Sequence, residues 1–168
     1  MGRLLRRLMV PVLGVWLLAG CAHAGSTAAI VNGVEIPDSQ VVQAAEACSE
    51  TLGHRAGELR LDMVLWAVIK EMSEQYLAEH PADRPDEGQL VGYLLAQPKL
   101  SRVLENQVCR DAALGLAQHQ VLMLSLGSRT GDYLEHNQVL LNPRYGTWLP
   151  DRQEPDFWGG LSELGDRS

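Results

Sequence analysis

Apolar residues recur at helical spacing in four stretches of this chain, and proline or glycine follows each of them. The first stretch begins after Pro37, which cannot donate to a strand ladder, and ends at Gly53, a natural C-cap. Pro81 and Pro98 end the second and third stretches. We predict helices at about 38–52, 58–79, 86–97 and 99–126, with one further turn at 132–136.

A β-hairpin is predicted immediately before the first helix. Asn32-Gly33 supplies the positive φ angles that a type I′ turn requires, and β-branched residues flank it on both sides. Val139-Leu140-Leu141 is a candidate third strand. The single Phe and the abundance of Leu, Ala and Val favour packing of helix on helix rather than a β-sandwich. The predicted fold class is therefore mainly α, with one domain over 28–150 and a flexible polar tail over 151–168.

The amino-terminal residues have the pattern of a bacterial lipoprotein signal. An arginine-rich start is followed by an apolar run over 8–18, which is shorter than the roughly 20 apolar residues that cross a bilayer. The run leads into Leu18-Ala19-Gly20-Cys21, which resembles the lipobox, where the signal peptidase cuts before a lipidated cysteine. The alternative is an ordinary signal peptide, or a signal anchor with a chance cysteine.

Lipidation of Cys21 determines the predicted location. Residues 1–20 are then a signal peptide and residues 21–27 a tether. Each buried CH₂ of an acyl chain contributes roughly 0.8 kcal/mol, and two or more chains anchor a protein stably. We therefore expect a protein that is lipid-anchored to the cell membrane, on its extracytoplasmic face.

The net charge of the chain that remains after this cut is negative. The signal holds three of the 14 basic residues and none of the 21 acidic ones, which leaves 11 against 21, or about −10. Nucleic-acid binding and flat adsorption to anionic lipid both need basic surfaces. This composition argues against both, and it favours neutral or basic partners.

Two cysteines remain besides Cys21. Cys48 and Cys109 would close a loop of about 60 residues, for which chain entropy gives roughly 4 kcal/mol of stabilisation. Disulfides persist outside the cytoplasm, so we predict this pairing. Two separate buried thiols are the alternative, because each cysteine lies on an apolar helical face.

No motif typical of an active site is present. The chain has no His-Glu-x-x-His pair, no Cys-x-x-Cys and no Gly-x-Ser-x-Gly elbow. His119 lies among apolar residues of the longest helix and is interpreted as a packed core or rim residue. We expect no enzyme activity, no cofactor and no metal site. Buried, coupled carboxylates around His119 would reopen the enzyme interpretation.

Two segments resemble parts of known extracytoplasmic folding factors. One is Ala29-Ile30-Val31-Asn32-Gly33-Val34-Glu35-Ile36-Pro37-Asp38-Ser39, which is similar to the hairpin and capped helix that open the N-terminal module of SurA-type and PrsA-type proteins. The other is Asn142-Pro143-Arg144-Tyr145-Gly146-Thr147-Trp148, which is similar to the late strand and loop of SurA-N-like lipoproteins. The resemblance implies that the hairpin and residues 139–141 meet in one small sheet. An isolated hairpin is marginal in water, which also favours a third strand.

The chain departs from that family in one respect. SurA-type and PrsA-type foldases carry a parvulin prolyl isomerase domain before the returning strand, and the short connections here leave no room for one. The resemblance therefore implies a non-catalytic, chaperone-like holdase or assembly factor for unfolded or unassembled exported polypeptides. The alternative is an interaction lipoprotein that docks one dedicated membrane or envelope partner.

Two groups of residues are candidates for client binding. The sequence Val121-Leu122-Met123-Leu124 is apolar almost all round its helix and must be covered by other elements or by a partner. Arg144, Tyr145 and Trp148 place two aromatic rings beside a cation, as peptide-binding interfaces do. The alternative for this second group is structural: the rings fasten a strand to a helix while Arg144 bridges a carboxylate.

Overall fold

The chain is mainly helical in the part that the computed structural model describes, residues 26–135 and 137–157. Each predicted helix has a counterpart, and the one further turn is a short helix. Within these ranges the α-helices are α1 Asp38–Leu52, α2 Ala56–Glu79, α3 Glu87–Leu95, α4 Gln107–Leu126 and α5 Thr130–Glu135. No helix in these ranges is long and apolar enough to cross a membrane.

A three-stranded antiparallel sheet lies against the helices. Its strands are β1 Thr27–Val31, β2 Val34–Pro37 and β3 Val139–Leu141, in the order β2-β1-β3. Ala29 pairs with Leu141, and Val31 pairs with Val139. The predicted fold class, mainly α with an early hairpin and a late strand, is thus confirmed.

The turn between β1 and β2 also attaches the sheet to the rest of the domain. Asn32 and Gly33 have φ angles of 49° and 86°, as the predicted turn requires. The Asn32 side chain donates to the Gln75 side chain of α2 at 2.7 Å, and it accepts from the backbone N–H of Gln138 at 2.7 Å. One asparagine therefore shapes the turn and joins three segments of the chain.

The start of α4 differs from the sequence prediction. The side-chain oxygen of Asn106 accepts hydrogen bonds from the backbone N–H groups of Val108 and Cys109, at 3.0 and 3.2 Å. These bonds satisfy donors that have no partner within a helix, so the helix begins at this cap. Ser101–Glu105 form a 3₁₀ turn instead. A start near residue 99 is therefore wrong.

A second small sheet forms where the sequence suggested a loop and a polar tail. β4 (Thr147–Leu149) pairs antiparallel with β5 (Glu154–Asp156). Gly146, with φ of 109°, permits this hairpin because a Cβ there would collide with the backbone carbonyl of Asp156. The predicted domain end at residue 150 falls inside the hairpin. Residues 158–168 of the predicted tail lie outside the described part.

The core lies where α1, α2 and α4 meet beneath the sheet. Val64, Val68 and Met72 of α2 are at most 1 % exposed, as are Ala113 and Ala117 of α4. Small residues on α4 let the two helix backbones approach closely. At Gly115 a Cβ atom would lie 2.7 Å from the Cβ of Lys70, a separation that packed side chains do not tolerate.

A disulfide joins α1 to α4 at the centre of this core. The Cys48 and Cys109 sulfur atoms are 2.12 Å apart, and their Cα atoms are 4.9 Å apart. Neither cysteine is exposed to solvent. The predicted pairing is confirmed, and it fixes the relative position of the two helices.

Candidate functional site

An apolar groove runs along the surface where α1, α2 and α4 meet. Its volume is about 230 Å³. We call it the α1–α2–α4 groove. It is lined by Gln40, Val41, Gln43 and Ala44 of α1, by Met63, Trp66, Ala67 and Lys70 of α2, and by Val108, Asp111 and Ala112 of α4.

Helical periodicity places these side chains together. Met63, Trp66, Ala67 and Lys70 occupy positions i, i+3, i+4 and i+7, so they share one face of α2. The facing positions on the neighbouring helices are the alanines Ala44 and Ala112. Short side chains there leave open space beside the large Trp66 ring, and this produces a depression on a well-packed helical surface.

The groove combines an apolar floor with a polar rim. Val41 and Met63 are each 1 % exposed and form the floor, while Trp66 is half-buried and forms a wall. Gln43 and Asp111 are exposed at the rim. This arrangement can accept an apolar side chain and offer hydrogen bonds to the polypeptide that carries it.

The two rim charges belong to different helices. Lys70 of α2 is half-buried, and its stem lies against Gly115 of α4. Asp111 of α4 is exposed. Within the described residues neither side chain is part of a salt bridge with another residue. The Asp111 carboxylate is therefore available to a ligand in the groove, whereas the Lys70 charge also acts on Glu74, one turn further along α2.

A second depression borders the amino end of α1. Its volume is about 510 Å³, and we call it the β2–α1 groove. Glu35 of β2 and Glu46 of α1 make it acidic, and Ser26 and Thr27 line it where the described chain begins. Gln43 borders both grooves. The first described residues therefore border a depression that adjoins the α1–α2–α4 groove at Gln43.

The end of α4 does not present the predicted apolar wall. Leu122 is fully buried in the core, and Val121 and Met123 are half-buried. Only Leu124 of these four points outward, with 78 % of its surface exposed. The apolar character of this turn is explained in part by core packing, which buries Leu122 fully and Val121 and Met123 partly.

The side chains of Tyr145 and Trp148 are buried in the domain and not exposed on its surface. They are 5 % and 6 % exposed, respectively. The Tyr145 hydroxyl donates to Oδ1 of Asp38, and the Arg144 guanidinium pairs with the same oxygen at 2.6 Å. Burial, followed by the bond to Asp38, raises the pKa of Tyr145 to about 12. The structural interpretation of this group therefore describes it better than client binding does.

His119 belongs to a buried series of hydrogen-bonded polar groups. Nδ1 of His119 lies 2.8 Å from the hydroxyl of Tyr133, which lies 3.1 Å from Oγ of Ser73. Ser73 donates to the carbonyl of Ile69 at 2.7 Å. Each hydroxyl carries one proton, so all three contacts are satisfied when Nδ1–H of His119 donates to Tyr133 and Tyr133 donates to Ser73.

This chain of groups is neutral at physiological pH. Burial lowers the pKa of His119 to about 4, and burial raises the pKa of Tyr133 to about 12. The partner of His119 is a phenol and not a carboxylate, so the arrangement that would suggest acid–base chemistry does not form here. The contacts fasten α5 to α2 and α4, and no sequence pattern indicated Tyr133 or Ser73.

In the described ranges no three His, Cys, Asp or Glu side chains come together in a way that could hold a metal ion. His54 and His80 lie at the surface near helix ends. Cys21, His23 and His136 lie outside the described residues.

No family model matches this chain, and no curated protein or solved structure shows significant similarity to it. The resemblance to SurA-type N-terminal modules therefore stays a prediction, as does the lipoprotein signal.

Proposed function

We propose that this protein is a lipid-anchored, extracytoplasmic factor that holds unfolded or unassembled exported polypeptides without catalysing a reaction. The capture site in this proposal is the α1–α2–α4 groove rather than the end of α4 or the Tyr145 loop. The lipobox-like sequence before Cys21 supports the anchor, and the hairpin sequence supports a SurA-N-like domain.

The observation that carries the proposal is the chemistry of the groove. Small-molecule pockets typically measure about 300–1,000 Å³, so 230 Å³ suits one or two protein side chains better than a cofactor. Trp66 offers a large flat surface to an apolar or cationic side chain. Gln40 and Gln43 can bond to the main chain of an extended segment. A site of this kind binds many sequences that share an apolar residue.

The buried disulfide supports the proposed extracytoplasmic location of the domain. Disulfides persist in oxidising compartments and are rare in the cytosol. Cys48 and Cys109 are central to the core and inaccessible to solvent, which is typical of a structural bond rather than a catalytic one. A domain that depends on this bond folds best outside the cytoplasm, where an exported client would also be.

A second candidate function is docking of one dedicated membrane or envelope partner. The exposed large apolar residues lie on several different elements: Val34, Leu61, Leu95, Val108, Leu124 and Leu140. General chaperones need broad apolar surfaces, and these scattered residues of the described ranges do not form one. The scatter supports a dedicated partner that carries one short motif, whereas a groove that can accept any apolar side chain supports holding.

Light scattering separates the two functions. An aggregating, chemically unfolded exported protein is mixed with the oxidised body starting at Ala22, with the folded state of every variant checked by urea unfolding. Suppression at near-stoichiometric amounts, lost in Trp66→Ala and Ala112→Glu but kept in Leu124→Ser, is the result expected of groove-based holding.

Other outcomes redirect the proposal. If suppression of aggregation is lost only in Leu124→Ser, the capture surface is the end of α4 and not the groove. If the wild-type protein suppresses nothing, general holding is wrong and the dedicated partner takes its place.

A further inference from the structure

The described chain begins close to the α1–α2–α4 groove. The backbone N–H of Asp38, the first residue of α1, donates to the carbonyl of Ser26 at 2.6 Å. Gln40, Val41, Gln43 and Ala44, in the first two turns of the same helix, line the groove. At 1.5 Å per helical residue, Gln43 lies about 8 Å along the axis from Asp38. The point where the tether meets the domain and the groove are therefore neighbours.

The proposed lipid attachment site precedes this point by five residues. A chain extends at most about 3.6 Å per residue, so Cys21 lies within roughly 18 Å of Ser26. Together with the path along α1, this limits the distance between the lipid anchor and the groove to about 30 Å. That distance is similar to the thickness of the hydrocarbon core of a bilayer.

The geometry points to a specific class of partner: a membrane-attached polypeptide whose extended, apolar-anchored segment lies within about 30 Å of the bilayer surface. This inference rests on the proposed function and on lipidation of Cys21. A short tether raises the concentration of the groove near such a segment and does nothing for a client free in solution.

Charge supports the same arrangement. The mature chain carries about ten more acidic than basic residues, and anionic lipid headgroups repel such a body. This repulsion disfavours an arrangement in which the domain lies flat on the membrane and lipid covers the groove. Asp111 at the rim is complementary to a basic residue in the captured segment, and the Trp66 ring adds to that attraction.

The inference is tested with the lipidated full-length protein in phosphatidylcholine vesicles. The probe is a fluorescent peptide of Leu, Phe, Arg and Ser, coupled to a lipid by a short spacer in one set of vesicles and free in solution in another. A variant carries a flexible Gly/Ser insert of about 40 residues between Gly25 and Ser26. Apparent Kd values are compared for both probes and both proteins.

We expect the native protein to bind the lipid-coupled probe much more tightly than the free one. Effective concentration falls as about the −3/2 power of tether length, so the insert should weaken binding of the lipid-coupled probe by about 25-fold and leave the free probe unchanged. Trp66→Ala should weaken binding of both probes.

Two results would overturn the inference, and they differ in meaning. In the first result, the native protein and the protein with the extended tether bind the lipid-coupled probe equally, and Trp66→Ala abolishes the binding of each. The membrane-proximal partner would then be wrong, while groove-based holding would remain. Binding of neither probe by any form of the protein would remove the groove as a capture site, and the inference with it.

Discussion

The hydroxyl of Tyr145 donates a hydrogen bond to Asp38, a residue 107 positions earlier in the chain. Asp38 begins α1, and Arg144 pairs with the same carboxylate. Two neighbouring side chains from the late loop thus hold the amino end of the helix that lines both grooves. The late loop acts as a support for the candidate site and not as its ligand-binding part.

Replacement of Tyr145 by Phe removes this hydrogen bond and keeps the ring. Hydrogen bonds to charged groups contribute about 1.5–3 kcal/mol, so the free energy of unfolding in urea should fall by about that amount. Tyr93→Phe is the matched control, because the half-buried Tyr93 hydroxyl forms no side-chain hydrogen bond within the described residues. Equal stabilities for the two variants would show that the bond to Asp38 is not formed in solution.

Reduction of the disulfide should lower stability substantially. The cysteines are separated by 61 positions, and loop-closure entropy gives about 4 kcal/mol for a loop of that size. Urea unfolding with and without reductant measures the difference, and alkylation followed by intact mass verifies the oxidation state. A paired Cys48→Ala and Cys109→Ala variant should match the reduced protein. An unchanged urea midpoint after verified reduction would contradict the structural role of the bond.

His119 should make the domain sensitive to mild acid. Its pKa is about 4 in the folded state and 6.5 unfolded, so the unfolded chain binds the extra proton between these values. The histidine contribution to stability is fully present above pH 6.5 and is lost as the pH falls towards 4, by at most about 1.4 kcal/mol per pH unit.

The control for this prediction is His119→Asn, whose side-chain nitrogen can still donate to Tyr133 but cannot titrate. Carboxylates such as Asp83, whose pKa is lowered by the hydrogen bond from Arg129, contribute equally to both proteins. The difference between the two pH profiles therefore isolates His119. Parallel profiles between pH 4 and 6.5 would contradict its burial as a neutral group.

Two glycines should respond to alanine in opposite directions. A methyl group at Gly115 would lie 2.7 Å from the Cβ of Lys70, so Gly115→Ala should destabilise the fold by about 1–3 kcal/mol despite the better helix propensity of alanine. Gly92 in α3 has open space around it, so Gly92→Ala should stabilise by up to about 1 kcal/mol. Thermal unfolding of both variants measures the signs, and stabilisation by Gly115→Ala would contradict the close approach of α2 and α4.

The features that could be predicted from the sequence are those with local causes. Asn32-Gly33 specifies its turn through the φ angles it permits, and Gly53 and Pro81 follow helix ends for similar reasons. The Cys48–Cys109 disulfide could be predicted because these two cysteines remain besides Cys21 and an extracytoplasmic location is expected. Asn106 also has the local sequence pattern of an N-cap, since it precedes an apolar helical face. The predicted helix start near residue 99 did not use this pattern.

The features that the sequence did not reveal depend on distant packing. Whether Leu122 or Leu124 faces solvent depends on which elements cover α4, and helical spacing alone does not determine this. Asp38, the hydrogen-bond partner of Tyr145, lies more than one hundred residues earlier in the sequence. The α1–α2–α4 groove exists because alanines from two helices face Trp66 of a third, and no single segment carries that pattern.

Site-specific photocrosslinking locates the capture surface on the folded protein. A benzophenone amino acid is placed at Gln43, exposed on the groove rim, and in a matched variant at Leu124, the most exposed apolar residue of the end of α4. Each folded protein is irradiated with a chemically unfolded exported polypeptide. We expect strong crosslinking from Gln43, reduced by Trp66→Ala, and little from Leu124. Crosslinking from Leu124 but not from Gln43 would contradict the assignment of the α1–α2–α4 groove as the capture site.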